Sequence, residues 1–160
     1  MPVQQLPDAT RRFLDAVSGL GIEIVPQVFS AGTRTSAEAA RAVGCELSAI
    51  AKSLVFMAAD EAVLVLMPGD KRVDTKKLAA LCGVDHTRRA TLDEARQHTG
   101  YAAGGTPAFG LATDLRVFAD VGLQRQSEVW SSAGAPTTLY PITVSDLISA
   151  SGARWADLAE

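Results

Sequence analysis

Two features of the chain combine residue types that do chemistry with a setting that constrains them. The first is Lys52, within Ile50-Ala51-Lys52-Ser53-Leu54-Val55-Phe56. Strand alternation puts it on the face that carries Ile50, Leu54 and Phe56, with Ala51, Ser53 and Val55 on the other. An ammonium between apolar faces is costly to desolvate unless it meets an anion or a group of carbonyls. Lys52 therefore lines a cleft that takes an anion, snorkels to the strand edge, or pairs with a buried carboxylate. The second feature is Thr99-Gly100-Tyr101-Ala102-Ala103-Gly104-Gly105-Thr106-Pro107-Ala108-Phe109-Gly110, with four glycines and a proline in twelve residues. Glycine costs backbone entropy and packs nothing, so this cluster marks unusual dihedrals or main chain pressed against something. It is either a wall of backbone N–H and C=O groups beside a pocket, with Tyr101 or Phe109 as an aromatic side, or a tight helix-to-strand connection. It is neither G-x-G-x-x-G opening a helix nor a P-loop, so a nucleotide-type phosphate cradle is not expected.

Other candidates are fewer. Asp120 closes an apolar strand and is either a pocket carboxylate or a turn residue before Gly122. Lys71, Arg72, Lys76 and Lys77, with Arg88 and Arg89, form the densest basic region, which is a solvated face or a hold on a nucleic-acid backbone. No serine sits in a nucleophile-elbow pattern, and His86 and His98 lie in polar segments, so Ser/His/Asp catalysis has little support. Neither histidine has partners at metal-ligand spacing, and no metal site is expected. Cys45 and Cys82 lack neighbours that depress a thiol pKa and read as small buried hydrophobes.

The elements that must position these residues follow from periodicity. Ala9–Leu20 reads as a helix with Phe13, Leu14, Val17 and Leu20 as its apolar stripe. Ile22–Phe29, broken by Pro26, reads as an edge strand. Thr35-Ser36-Ala37-Glu38 is a capping box for a helix ending at Gly44. Ile50–Met57 and Ala62–Met67 form a hairpin at the centre of the sheet. Asp74 caps a helix to Gly83, Val84–Arg88 is a short strand, and Thr91-Leu92-Asp93-Glu94 opens a helix ending at Gly100. Leu115–Asp120 is a strand, Glu128–Ser131 and Thr137–Ile142 a second hairpin, and Thr143 caps a last helix closed by Gly152. The irregular alternation predicts a single α+β domain over residues 1–160, with a mixed, curled, barrel-like sheet flanked by helices.

Bulk properties narrow the function classes. The 160 residues are 48% hydrophobic and 21% charged, ordinary for a globular protein with a real core. No apolar run approaches the ~20 residues needed to cross a bilayer, and Met1–Asp8 lacks the layout of a signal peptide. Two unpaired-looking thiols fit a reducing cytosol, so a cytoplasmic location is expected. The net charge of -3 gives no bulk attraction for nucleic acid, so a polyanion needs a local basic patch.

The lysine strand, then Val63-Leu64-Val65-Leu66-Met67-Pro68-Gly69-Asp70-Lys71-Arg72-Val73-Asp74, then Thr99-Gly100-Tyr101 and Gly104-Gly105 to Gly110, come in a familiar order. The chain resembles the YbaK/EbsC family, the prolyl-tRNA-synthetase-associated editing domains, from about Thr35 to Leu158. Thr35-Ser36-Ala37-Glu38-Ala39-Ala40, Val129-Trp130 and Ala133-Gly134 also fall in the expected places. The resemblance implies hydrolysis of mischarged aminoacyl-tRNA without a metal or other cofactor, assisted by the substrate's own hydroxyl or thiol. Lys52 would hold the phosphate of the 3′-terminal adenosine or polar groups beside it, and the backbone at Gly104 and Gly105 would orient the ester carbonyl. Thr35, Ser53, Tyr101, Thr106, Pro107, Phe109, Gly110, Asp120 and Gly134 would contact the substrate, and Lys71, Arg72, Lys76 and Lys77 the tRNA backbone. The implied partners are the acceptor end of an aminoacyl-tRNA and an aminoacyl-tRNA synthetase. The alternative is a non-catalytic module of the same fold that binds an aminoacyl group, a nucleotide or a synthetase. In one place the chain departs from the family: Ala108 stands where the family has proline, and Pro107 comes one residue earlier.

Overall fold

The most apolar stretch of the chain becomes the centre of the larger sheet. The structure is a computed structural model and describes residues 5–30 and 32–160. Strands β1 (Gln27–Val28), β2 (Ala51–Ala58) and β3 (Glu61–Pro68) come first along the chain, and β2 and β3 pair antiparallel over their full length. Val63 to Met67 are all 0% exposed, as expected of strands covered on both faces. Val55, Met57, Leu64 and Leu66 face one apolar core; Phe56, Val63, Val65 and Met67 face a second.

Beside this hairpin stand β4 (Thr87–Arg89) on one edge and β5 (Arg116–Asp120), then β8 (Arg154–Ala156), on the other. The β3–β5 and β5–β8 pairings are parallel and the rest antiparallel, so the sheet is mixed. A separate three-stranded antiparallel sheet has the order β1, β7 (Thr138–Thr143), β6 (Glu128–Ser132). The two meet through one isolated bridge, Ile50 to Trp130.

The α+β class is as expected, but the single barrel-like sheet is corrected to two open sheets. The reason is local. Strand β4 pairs only with Phe56, Met57 and Ala58, and β6 meets the start of β2 only at the Ile50–Trp130 bridge, so among the described residues the stretch between them has no strand beside it on that edge. The sheet stops there instead of closing.

Among the described residues five α-helices flank the sheets: α1 (Asp8–Val17), α2 (Ser36–Val43), α3 (Thr75–Cys82), α4 (Leu92–Thr99) and α5 (Val144–Ser151). Four begin at side-chain caps, Thr35, Asp74, Thr91 and Thr143, each accepting from a first-turn N–H. Three boundaries moved from their expected places. The first helix tightens into a 3-10 turn at Ser18–Leu20. The strand expected over Ile22–Phe29 shrinks to β1, two residues after Pro26, which has no N–H to give a ladder. The strand expected at Val84 starts at Thr87, because Val84 N–H instead closes the end of α3 on Ala79 O. Among the described residues no helix is long and apolar enough to cross a membrane, and Cys45 and Cys82 are free and half-buried.

Asp120, 2% exposed, ties the C-terminal segment to the sheet. Its carboxylate accepts from Leu158 N–H at 2.8 Å, Ala159 N–H at 3.1 Å and Gly122 N–H at 2.8 Å. Removing it strands buried donors, each costing about 1–3 kcal/mol. Asp120→Ala is therefore expected to lose about 3 kcal/mol or more in urea denaturation; a loss below about 1 kcal/mol would show that the C-terminal segment is held by its apolar contacts instead.

Candidate functional site

The uncovered half of β2 opens into a cavity of about 300 Å³. Its floor runs from Ile50 to Val55; its walls are the start of α2, the β4–α4 joint, the glycine loop at Ala103, Gly104 and Thr106, and Trp130, Ser132 and Leu139 of the smaller sheet. Val55 O accepts from Ala90 N–H on the β4 side, while Ile50 O accepts from Gly69 N–H on the β3 side. By antiparallel alternation the peptide groups of Ser53 thus point away from β3, toward the open edge. The Ser53 hydroxyl is buried and has no partner among the described residues.

The lining has one sign of charge. Arg34, Lys52 and Arg89 reach it, and no Asp, Glu, His or Cys does among the described residues. None of the three cations makes a salt bridge there. Burial pushes the half-buried Lys52 ammonium below the ordinary lysine value; Arg89 and Arg72 push the same way, and Asp70 opposes them. The Arg89 guanidinium lies over the Phe56 ring, 5.6 Å from its centroid. The described lining is thus positively charged, with no carboxylate, imidazole or thiol to serve as a base or nucleophile.

The glycine loop meets the cavity at one point. Gly104 has φ +87°, and a Cβ there would come within 2.8 Å of Arg34 Cγ. Its N–H has no backbone partner among the described residues, whereas the Gly105 N–H donates to Ala102 O at 3.1 Å within the turn. Gly105 is pressed instead on the Ala135 main chain, where a Cβ would meet three backbone atoms at 2.8–3.0 Å. Thr106 lines the cavity, but its hydroxyl donates to Ala102 O. Thr35 also lines it, its hydroxyl engaged with Glu38 at the start of α2.

Of the residues expected at the site, Thr35, Lys52, Ser53, Gly104 and Thr106 therefore come together. The others form the back of the loop or lie elsewhere. Tyr101 is 4% exposed, with Arg12 over its ring. Pro107 is buried, and Phe109 stacks at 5.6 Å on Phe13 and edge-on at 6.4 Å to Tyr140, in the core. Gly110 and Gly134 sit where a Cβ would strike Val17 and Ala9 of α1, at 2.7 Å each. Asp120 lies away from the cavity, on the C-terminal backbone. Lys71, Lys76 and Lys77 are exposed; Lys77 is spent on Ala159 O and Asp157, and Arg72 lines a neighbouring cavity.

Arg34 and Arg89 escaped the sequence reading as site residues. Arg89 counted only as part of a basic face, and its separation from Arg88 shows only in space: Arg88 pairs with Glu94, while Arg89 turns to the cavity. Arg34 carries no periodic signal; it precedes a capping box, and the fold alone puts it beside Gly104.

Comparison with known proteins bears on this site. The aminoacyl-tRNA editing domain model matches residues 30–150. The uncharacterized protein YwhH of Bacillus subtilis is 33% identical over 134 residues, 82% of this chain and 85% of that protein. A proline–tRNA ligase of Limosilactobacillus fermentum is 34% identical over 98 residues, 58% of this chain but only 17% of the ligase. A solved structure described as a candidate trans-editing enzyme for prolyl tRNA synthetase superposes with a TM-score of 0.92 at 39% identity, covering 98% of this chain and 99% of that one.

The two central glycines are expected to respond differently to alanine. At Gly104 the clash is with a flexible side chain, leaving mainly the left-handed backbone, worth about 1–2 kcal/mol. At Gly105 the obstacle is main chain in the β6–β7 turn, and overpacking costs about 1–3 kcal/mol or more. Gly105→Ala should unfold at lower urea than Gly104→Ala, and the reverse order would mean that the loop is not wedged against Ala135.

Proposed function

The chain belongs to the aminoacyl-tRNA editing domain family, and we propose that it is a trans-editing deacylase, cleaving a small misacylated amino acid from tRNA. The observation that carries this reading is the sign of the cavity: three cations and no acid, in a chain of net charge -3. Such a lining selects a polyanion's end, and the cavity volume suits a small aminoacyl group on its ribose.

In this reading Lys52 holds the phosphate of the terminal adenosine, and the Gly104 N–H faces the ester carbonyl. Water adds to that carbonyl; the tetrahedral oxygen gains negative charge and is stabilised by Gly104 N–H and the nearby cations. The bond to the ribose oxygen then breaks, that oxygen takes up a proton, and free amino acid and tRNA leave. With no base in the lining, the substrate's own hydroxyl orients the water and relays its proton. Neither a metal nor a cofactor enters the scheme. The relatives' names make tRNA-Pro the first tRNA to test and a prolyl-tRNA synthetase the first partner.

The same absence of a base favours a second reading, a module that binds an aminoacyl end without turnover. Catalytic amounts of protein with tRNA-Pro charged with alanine, serine or cysteine separate the two. Multiple turnover is expected on at least one, with Lys52→Met slower by about 100-fold. Tight binding without turnover on any would favour the module, and equal rates for Lys52→Met would overturn the mechanism.

The alkaline side provides another test. A group whose folded pKa is depressed loses its proton earlier than an ordinary lysine as pH rises. Affinity for a non-hydrolysable amide analogue of 3′-aminoacyl-AMP should therefore fall at a pH below the ordinary value of 10.5. Lys52→Arg should abolish that fall over the same interval. Because the unfolded chain holds the proton better, Lys52→Met should match or exceed the wild type in stability at neutral pH.

A further inference from the structure

Beside the first cavity, a second of about 140 Å³ lies against Lys52, Leu54 and Phe56, alternate residues on one face of β2. Lys52, Leu54 and Arg89 line both, so the two adjoin. The second adds Arg72, Phe56 and Glu160. We infer that it is a phosphodiester subsite, taking the next phosphate 5′ of the one held by Lys52 on the same RNA strand. The inference rests on the deacylase reading for the strand's direction, but not for the site's preference for anions.

The charge pattern carries it. Around these residues the fold supplies carboxylates to other cations: Arg88 to Glu94, Arg116 to Glu61, Arg125 to Asp70, Lys77 to Asp157. Lys52, Arg72 and Arg89 line this cavity without a salt bridge among the described residues, although both arginines repel the Lys52 ammonium. Convergent like charges beside apolar walls are destabilising unless an anion joins them. Arg89 is already set in place by its stacking on Phe56, so little ordering is left to do on binding. Glu160 brings the one acid of this cavity, and its N–H donates to Arg72 O at 3.0 Å, which fixes the arginine's backbone without neutralising its guanidinium.

An uncharged RNA trinucleotide CCA and AMP distinguish the subsite from the first cavity, because only CCA carries the further phosphate. By fluorescence anisotropy and competition, CCA is expected to bind at least tenfold tighter than AMP. Arg72→Ala and Arg89→Gln should erase that advantage, with Arg72→Ala leaving AMP affinity unchanged. Each should lower the slope of log affinity against log salt by about 0.7, and Arg154→Ala, on exposed β8, should do neither. Glu160→Gln should tighten CCA severalfold. Wild-type CCA affinity in both arginine variants would overturn the inference. Inorganic phosphate competing as well as CCA would also overturn it, by showing a free-anion site. Failure of the deacylation panel with this binding pattern intact would remove the deacylase and keep the subsite; turnover with arginine variants unaffected would do the opposite.

Discussion

An ammonium held half-buried between apolar faces is the constraint on which the site depends. Lys52 lies in the strand that, with its hairpin partner, supplies most of the fully buried aliphatic side chains of the larger sheet. Burial and two neighbouring guanidinium groups all disfavour its charged form. The protonated side chain therefore weakens the fold at every pH below its depressed pKa, where the unfolded chain binds the proton more readily. A fold that minimised this cost would cover the strand edge or place a carboxylate there. Here β4 stops after three residues, and the nearest acid with an influence on Lys52, Asp70, is engaged by Arg125.

The glycine loop answers the lysine from across the cavity, but most of it never faces the cavity. Its small residues allow the loop to press on α1 and on the β6–β7 turn, and Phe109 anchors it in the core through Phe13 and Tyr140. Gly104 is left as the point where main chain reaches Arg34 and the site. Rigid backing matters because a single peptide N–H acts on a developing charge only if its position is fixed beforehand. Helix α1, far from the lysine in sequence, backs the loop at Gly110 and the β6–β7 turn at Gly134.

Much of this was legible in the sequence because it follows from local patterns. The β2–β3 hairpin, the capping residues and the helix-ending glycines were read from periodicity and turn chemistry. Lys52 stood out because charge in an apolar strand conflicts with its setting. What could not be read depends on distant pairing. Four glycines in one loop look alike, yet Gly104 borders the cavity, Gly105 packs on Ala135 and Gly110 on Val17. Asp120 at a strand end looks the same whether it faces a pocket or, as here, the backbone of the last residues. Arg88 and Arg89 differ only because alternation sends one to Glu94 and the other to Phe56.

The chemistry available to such a site is that of placement. Among the described residues the cavity has no carboxylate, imidazole or thiol to take a proton from water. It does have fixed positive charge, an unpaired strand edge at Ser53 and a braced peptide N–H. These act on charge and geometry and leave proton transfer to the bound molecule. In the proposed deacylase, selectivity would then pass from the protein's reactive groups to what can be positioned: an ester whose own hydroxyl lies beside the carbonyl would be cleaved, and one lacking it merely held. Under the proposed function, shape and charge would do the work usually assigned to a catalytic base, and the open edge of β2 is what makes room for them.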